Sequence, residues 1–331
     1  MRAALAIGER TRGRTAPNPN VGCVIVAGEG RVVGRGWTQP GGRPHAEAMA
    51  LAQAGEAARG GTAYVTLEPC AHVSPRGPAC ADLLAATGVA RVVVALRDPD
   101  PRTDGQGIAR LRGAGVEVVT GVEADAARRA MAGFLTRRRL GRPHVTLKLA
   151  LSLDGAVSMA DGRSRWITGA PARAHAHLER ARHEAILVGR GTWEADRPRL
   201  DVRLPGLEAR APLRVVLSSG HPNPSGATRL PPSPAGRGKD EGNSIWIENP
   251  ADIATIPADH LLIEGGAAAA AAFLRANLVD RLLLYRAPIL IGGGRTLGDI
   301  ALGDLPDAHG RWTLTDERQL GIDRLEVYEA R

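Results

Sequence analysis

Lysine is almost missing from this chain. Among its 43 basic residues only Lys148 and Lys239 are lysine, and the rest are arginine. Aromatic side chains make up 3% of the sequence, so Val, Leu, Ile and Ala must fill the cores. The same scarcity removes the stacking platforms that single-stranded nucleic acid needs. Three cysteines are too few to staple 331 residues, which excludes a disulfide framework and leaves free thiols or metal ligands. No apolar run approaches the roughly 18–20 residues of a membrane span. Arg2, Glu9, Arg10 and Arg12 interrupt any secretory leader at the start. These absences point to a cytoplasmic protein with no membrane partner.

The charge that is present, a net +8, suits phosphorylated metabolites as well as nucleic acid. With so few aromatics the balance falls to a small anionic ligand, and no nucleic-acid partner is expected. Homo-oligomerisation stays open. The length suits two α/β domains. Residues 21–26 and 31–37 read as paired strands around a turn at 27–30. A helix over 45–59 stops at Gly60-Gly61. Strand 62–67, helix 80–86, strands 91–96 and 116–120 and helix 123–139 follow. After Arg137-Arg138-Arg139, the run Leu140-Gly141-Arg142-Pro143 marks a boundary, giving domains 1–142 and 143–331. The second series comprises strand 144–151, helix 171–182, strands 185–188, 213–217 and 260–263, helix 267–276, and strands 281–285 and 324–328. Alternating strands and helices predict sheets covered on both faces. The Pro/Gly/Ser-rich stretch 220–243 cannot bury a core and reads as a mobile surface insertion.

Four residues carry the sharpest chemistry. His45-Ala46-Glu47 opens a helix, Pro69-Cys70 follows a strand, and Cys80 comes after nine intervening residues. One imidazole and two thiolates make three zinc ligands and leave a fourth position for water. Zinc lowers the pKa of such a water to about 7, and a nearby carboxylate that is not a ligand carries the proton to the departing amine. Glu47 is the candidate. The zinc-deaminase signature pairs H-x-E with P-C-x-x-C, and here the second cysteine is farther away. The competing reading has His45 and Glu47 capping a helix over two buried thiols, and H-x-E alone would favour it. His72 offers a fourth ligand if the zinc is closed and structural. Cys23, in an apolar run, reads as a buried strand thiol.

In the second half single residues say less. Lys148 sits in an alternating strand, where an inward ammonium stabilises negative charge and an edge ammonium merely meets water. Asp154-Gly155 suits a turn. Gly265-Gly266 and Gly292-Gly293-Gly294 suit turns or phosphate approach. Arg180 and Arg203 read as surface arginines, and Trp193 and Trp246 as packing residues.

Three motifs in the first half, Pro17-Asn18-Pro19-Asn20-Val21-Gly22-Cys23-Val24, Gly41-Gly42-Arg43-Pro44-His45-Ala46-Glu47 and Tyr64-Val65-Thr66-Leu67-Glu68-Pro69-Cys70-Ala71-His72, closely resemble the deaminase half of the bifunctional riboflavin-biosynthesis deaminase/reductase family. In that family the long gap between the cysteines is usual. Past the boundary, Lys148-Leu149-Ala150, Ser152-Leu153-Asp154-Gly155 and Arg163-Ser164-Arg165-Trp166-Ile167-Thr168 resemble the start of its reductase half. The resemblance spans nearly the whole chain apart from 220–243. It implies a cytidine-deaminase-like three-layer α/β/α domain followed by a dihydrofolate-reductase-like α/β domain. It also implies hydrolytic deamination of a diaminopyrimidinone ribosyl phosphate, then reduction of ribosyl to ribityl with NADPH.

Carried over by position, the resemblance implies zinc ligands His45, Cys70 and Cys80, a proton carrier Glu47 and a pocket residue Asn20. It places NADPH against Ala150, Trp166, Thr192, Asp196, Ser219 and Gly266. It places substrate against Lys148, Ser164, Arg180, Leu200, Arg203 and Glu264. Four features depart from the family. Trp37-Thr38 stands where an aromatic-His pair is usual, and the segment from Ala71 to Cys80 is one residue longer. Asp196-Arg197-Pro198 replaces Asp-Asp-Pro, and Ala156 follows Asp-Gly in place of a basic residue. The rival enzyme is a deaminase of transfer-RNA adenosine or of a free nucleoside, and the rival of another class is a nucleic-acid-binding protein with structural zinc. Loss of activity in one half is a further alternative.

Overall fold

Small residues let helices lie directly on the first sheet. The computed structural model describes residues 1–72, 76–218 and 244–331, and these divide into two units, Met1–Gly141 and Arg142–Arg331. The first unit holds β1 (Gly22–Val26), β2 (Val32–Trp37), β3 (Thr62–Val65), β4 (Arg91–Val94) and β5 (Glu117–Thr120), in the order β2-β1-β3-β4-β5. β1 is antiparallel to both neighbours, while β3, β4 and β5 run parallel. Its helices are α1 (Arg2–Gly8), α2 (Ala46–Ala54), α3 (Cys80–Thr87), α4 (Gln106–Gly113), α5 (Ala124–Ala130) and α6 (Ala132–Leu140).

On one face Cys23, Ile25, Val65 and Val92 pack against Ala50 of α2, Leu84 of α3 and Leu111 of α4. Cys23 is fully buried there, as a strand thiol should be. On the opposite face a Cβ at Gly22 would stand 1.8 Å from the Ala4 carbonyl of α1, so only glycine admits that helix. Both faces are therefore covered. At Gly36 a Cβ would meet the Ala46 carbonyl at 2.0 Å, so this glycine seats the first turn of α2.

The single helix expected over 123–139 is two helices broken at Met131. Asn20 supplies the cause, since its Nδ2 donates to the Ala130 carbonyl at 3.2 Å and diverts it from the helical ladder.

The second unit holds β6 (His144–Leu151), β7 (Ala185–Gly189), β8 (Leu213–Leu217), β9 (Ser244–Ile247), β10 (His260–Ile263), β11 (Arg281–Arg286), β12 (Trp312–Leu320) and β13 (Asp323–Ala330). The sheet order is β12-β13-β11-β6-β10-β7-β8-β9. From β11 to β9 the strands run parallel, and β13 and β12 add an antiparallel edge. The helices are α7 (Ala170–Ala181), α8 (Arg190–Asp196) and α9 (Ala267–Arg275). Ala269, Ala270 and Phe273 of α9 pack on Leu147, Leu187 and Ile263, while Ala172 and Ala176 of α7 pack on Leu283 and Tyr285 of the other face.

β6 lies between β11 and β10 and is buried almost throughout, so its alternation is weaker than the sequence suggested. Lys148 is thus not an edge lysine. Trp193 and Trp246 pack edge to face with centroids 6.4 Å apart, as expected of packing residues. The stretch 220–243 and Ser219 lie outside the described residues.

Gly36→Ala is expected to cost the first unit about 1–3 kcal/mol of stability through overpacking. An earlier urea midpoint would show it, and an unchanged midpoint would mean that α2 does not need the close approach.

Candidate active sites

Three elements deliver one donor each to a common point. His45 is the residue before α2, in an extended conformation that turns the ring away from the helix, and Cys80 is the first residue of α3. Cys70 follows the carboxyl end of β3 after Glu68-Pro69. His45 Nδ1 lies 3.3 Å from Cys80 Sγ and 3.7 Å from Cys70 Sγ. The three ligand atoms fall within 4.8 Å of one another, and no further residue joins them among those described. His72 does not complete a closed site, because its Nδ1 faces Thr103 Oγ1 at 3.4 Å.

Hydrogen bonds from Cys80 draw the Cys70 thiol down, helped by His45, while the same interaction and burial push Cys80 up. A Cys₂His set of this kind, open on one side, fits a catalytic zinc. Glu47, 3% exposed, stands beside it in the first turn of α2. Burial pushes its carboxyl up to about 7, against the pull of His45.

The donors open into a cavity of about 220 Å³ that His45, Glu47 and Cys70 line. Val21, Leu67 and Phe134 give it apolar walls, and Asp98 and Asp100 enter from the carboxyl end of β4. Burial lifts Asp98 to about 6. Arg102, 2.6 Å away, holds Asp100 well below the usual carboxylate range, with Arg138 at 3.5 Å. Buried Glu68 accepts the backbone N–H groups of Asp98 (3.3 Å), Gly105 (2.9 Å) and Ile108 (3.1 Å).

Asn20, expected to line this cavity, does not. Its amide is spent on the Gly8 and Ala130 carbonyls. Asn18 lines the cavity instead, its Nδ2 2.9 Å from His45 Nε2 and 3.1 Å from the Gly42 carbonyl. Sequence reasoning also passed over Asp98 and Asp100. Their position after a strand parallel to β3 was the available signal, because ligands gather at the carboxyl ends of such strands.

In the second unit the residues expected at the reductase site form three groups. Arg180 of α7 donates to Glu264 from Nε and Nη2, at 2.7 and 2.8 Å, and from Nη1 to the Asp201 carbonyl at 2.9 Å. The two side chains are 16% and 9% exposed, so Arg180 is no surface arginine. Burial would raise the Glu264 carboxyl, but Arg180, with Lys148 adding to it, holds it below its ordinary value. Arg203 reaches Asp201 at 2.9 Å. Lys148 is half-buried with Nζ 5.6 Å from the Tyr285 ring centre, and Ala150 lies two residues along β6.

The second group is Thr192, whose Oγ1 accepts from the N–H of Gly266, the residue capping α9, at 3.3 Å. The third is an exposed stretch in which Asp196 pairs with Arg165 at 3.0 Å between Ser164 and Trp166, and Arg173 lies 4.8 Å over the Trp166 ring. Leu200 stands apart, because its side chain is buried with Ile186, Val188 and Leu262. Asp154 makes the expected turn and also accepts from the N–H groups of Ile291 and Gly292 at 3.2 and 2.8 Å, which ties the glycine-rich loop to the end of β6.

Residues 1–96 match the cytidine and deoxycytidylate deaminase zinc-binding region, and residues 143–231 and 251–317 match the RibD C-terminal domain. The riboflavin biosynthesis protein RibD of Aquifex aeolicus is 37% identical over 328 residues, covering 93% of this chain and 91% of its own. Acinetobacter baumannii RibD superposes with a TM-score of 0.83 at 36% identity, covering 100% of this chain and 97% of its own. The Thermotoga maritima diaminohydroxyphosphoribosylaminopyrimidine deaminase/5-amino-6-(5-phosphoribosylamino)uracil reductase superposes at 0.84 with 30% identity and the same coverage. A donor triad suited to zinc in one unit, a reductase domain in the other, and relatives that align from end to end make the chain a member of the RibD family, a bifunctional riboflavin-biosynthesis enzyme that joins a zinc-dependent deaminase to an NADPH-dependent reductase.

Proposed function

We propose that the two units carry out successive steps on one phosphorylated pyrimidine in the cytoplasm, with no part for nucleic acid. The 1–142 region deaminates 2,5-diamino-6-ribosylamino-4(3H)-pyrimidinone 5′-phosphate. The 143–331 region then reduces the ribosyl group, giving 5-amino-6-(5-phosphoribitylamino)uracil. The Thermotoga maritima relative bears both activities in its name. The observation that carries the first step is the convergence of His45, Cys70 and Cys80 on a cavity of about 220 Å³ that also holds buried Glu47. That volume suits a small molecule better than a polynucleotide.

His45, Cys70 and Cys80 hold the zinc, which when bound acidifies water to a pKa of about 7. Asn18 lies against the Nε2 side of the His45 ring. Glu47, raised to about 7, takes a proton from the water that adds to C2 of the pyrimidine and gives it to the amine as the C–N bond breaks and ammonia leaves.

In the second region NADPH supplies the hydride. Ala150, Trp166, Thr192, Asp196, Ser219 and Gly266 hold the cofactor, and the N-terminus of α9 favours its phosphates. Lys148, Ser164, Arg180, Arg203 and Glu264 hold the substrate. The Arg180–Glu264 pair fixes the substrate end, and Lys148 offers its ammonium where negative charge develops.

Glu47→Gln is expected to keep stoichiometric zinc while ammonia release falls about 10²- to 10⁴-fold. Undiminished ammonia release from that variant would remove Glu47 from the chemistry. Since Glu264 has a depressed pKa, the stability it contributes is complete above the unfolded carboxyl value of about 4.3 and disappears as pH falls through the lower folded value. Glu264→Gln should therefore flatten acid unfolding of the second unit below about pH 4 and raise the reductase KM. An acid limb as steep as wild type would show that the Arg180 pair does not set it.

A further inference from the structure

One cation lining the deaminase cavity has a buried nitrogen with no partner among the described residues. Arg43, Arg76, Arg102 and Arg138 all line it. Arg102 and Arg138 face Asp100, and Arg76 Nη1 donates to the Gly41 carbonyl at 3.1 Å. Arg43 differs from these three. Its Nε is buried with no hydrogen-bond partner, and no carboxylate pairs with it among the described residues.

The local chain aims this side chain with some precision. The Gly41 N–H donates to the Arg14 carbonyl at 3.0 Å and that of Gly42 to the Gln39 carbonyl at 2.8 Å, while Asn18 holds the Gly42 carbonyl. Gly42 takes φ +87°, and the backbone then straightens at Arg43 (φ −146°, ψ 150°) two residues before His45. The guanidinium reaches the Gly77 backbone, where its Nη1 would lie 2.9 Å from any Cβ. Thr38 gives the cavity a neutral wall, its hydroxyl accepting from the Val21 N–H at 3.0 Å. Arg102 and Arg138 are already committed to Asp100, which leaves Arg43 as the cation better placed to take a phosphate.

Resting on the deaminase reading above, we infer that Arg43 receives the 5′-phosphate of the deaminase substrate. A guanidinium presents a planar fork of N–H donors that matches two phosphate oxygens at once. The ligand supplies an acceptor for this side chain's buried Nε, which finds none among the described residues. Arg43 thereby sets the preference for a ribosyl phosphate over the free ribosyl compound.

The test is steady-state ammonia release by the full-length, zinc-loaded chain. Its substrates are the diaminopyrimidinone ribosyl phosphate and the same compound without phosphate, with inorganic phosphate as a competitive inhibitor. Arg43→Gln should raise KM for the phosphorylated substrate about 10- to 100-fold, with kcat changed less than about threefold. Inhibition by inorganic phosphate should weaken in step, Arg43→Lys should recover part of the loss, and zinc content and thermal midpoint should match wild type. A wild-type KM in Arg43→Gln, or a rise equal for both compounds, overturns the inference and leaves the deaminase standing. A zinc-loaded wild type that releases ammonia from neither compound overturns the deaminase reading and this inference with it.

Discussion

A carboxylate enclosed by protein must find its donors there, and Glu68 finds three in the backbone. It lies between β3 and the Pro69-Cys70 pair, and it gathers the N–H groups of Asp98, Gly105 and Ile108. Charge-assisted hydrogen bonds of this kind contribute about 1.5–3 kcal/mol each. Through this one side chain the segment carrying Cys70, the acidic wall after β4 and the start of α4 keep a fixed relation. The donor triad and the acidic wall of the cavity are separate stretches of sequence, and Glu68 ties them together.

Around that clasp the chain sorts its carboxyl groups by environment. Glu47 is enclosed, and burial outweighs the pull of His45 and raises it to about 7. Asp98 rises to about 6 for the same reason. Asp100, one proline further on, is claimed by Arg102 and Arg138 and stays charged. The second unit uses the opposite arrangement. Glu264 is largely enclosed, yet the two-nitrogen grip of Arg180 keeps it ionised. Which of these carboxylates stays ionised follows from whether an arginine stands beside it.

The metal triad was legible in the sequence because zinc demands particular donors, and His45, Cys70 and Cys80 had few competing explanations. The order of strands and helices was legible where β-branched runs or alanine-rich faces repeat. Asn18 and Asn20 were not separable, since both sit in one Pro-Asn-Pro-Asn run and only the folded backbone shows which amide turns inward. The break at Met131 was hidden because its cause, Asn20, lies far away in sequence. α8 buries none of its residues, and β12 shows no apolar alternation, so neither left a periodic mark. Lys148 was ambiguous for a related reason: whether it faces water depends on the central place of β6, which only the strand order reveals.

The polar character that hid β12 also governs how the larger sheet ends. Its sequence runs Trp312-Thr313-Leu314-Thr315-Asp316-Glu317-Arg318-Gln319-Leu320, mostly exposed, with a bulge between Leu314 and Asp316. A flat apolar edge would offer its free N–H and C=O groups to a strand from another molecule and invite stacking. Charges of both signs and an irregular register make this edge a poor template. A wide parallel sheet, slow to assemble and prone to aggregation while its strands are unpaired, is thus closed on that side by a strand that resists extension. Crowded enzyme molecules can then meet along this edge without joining into fibres.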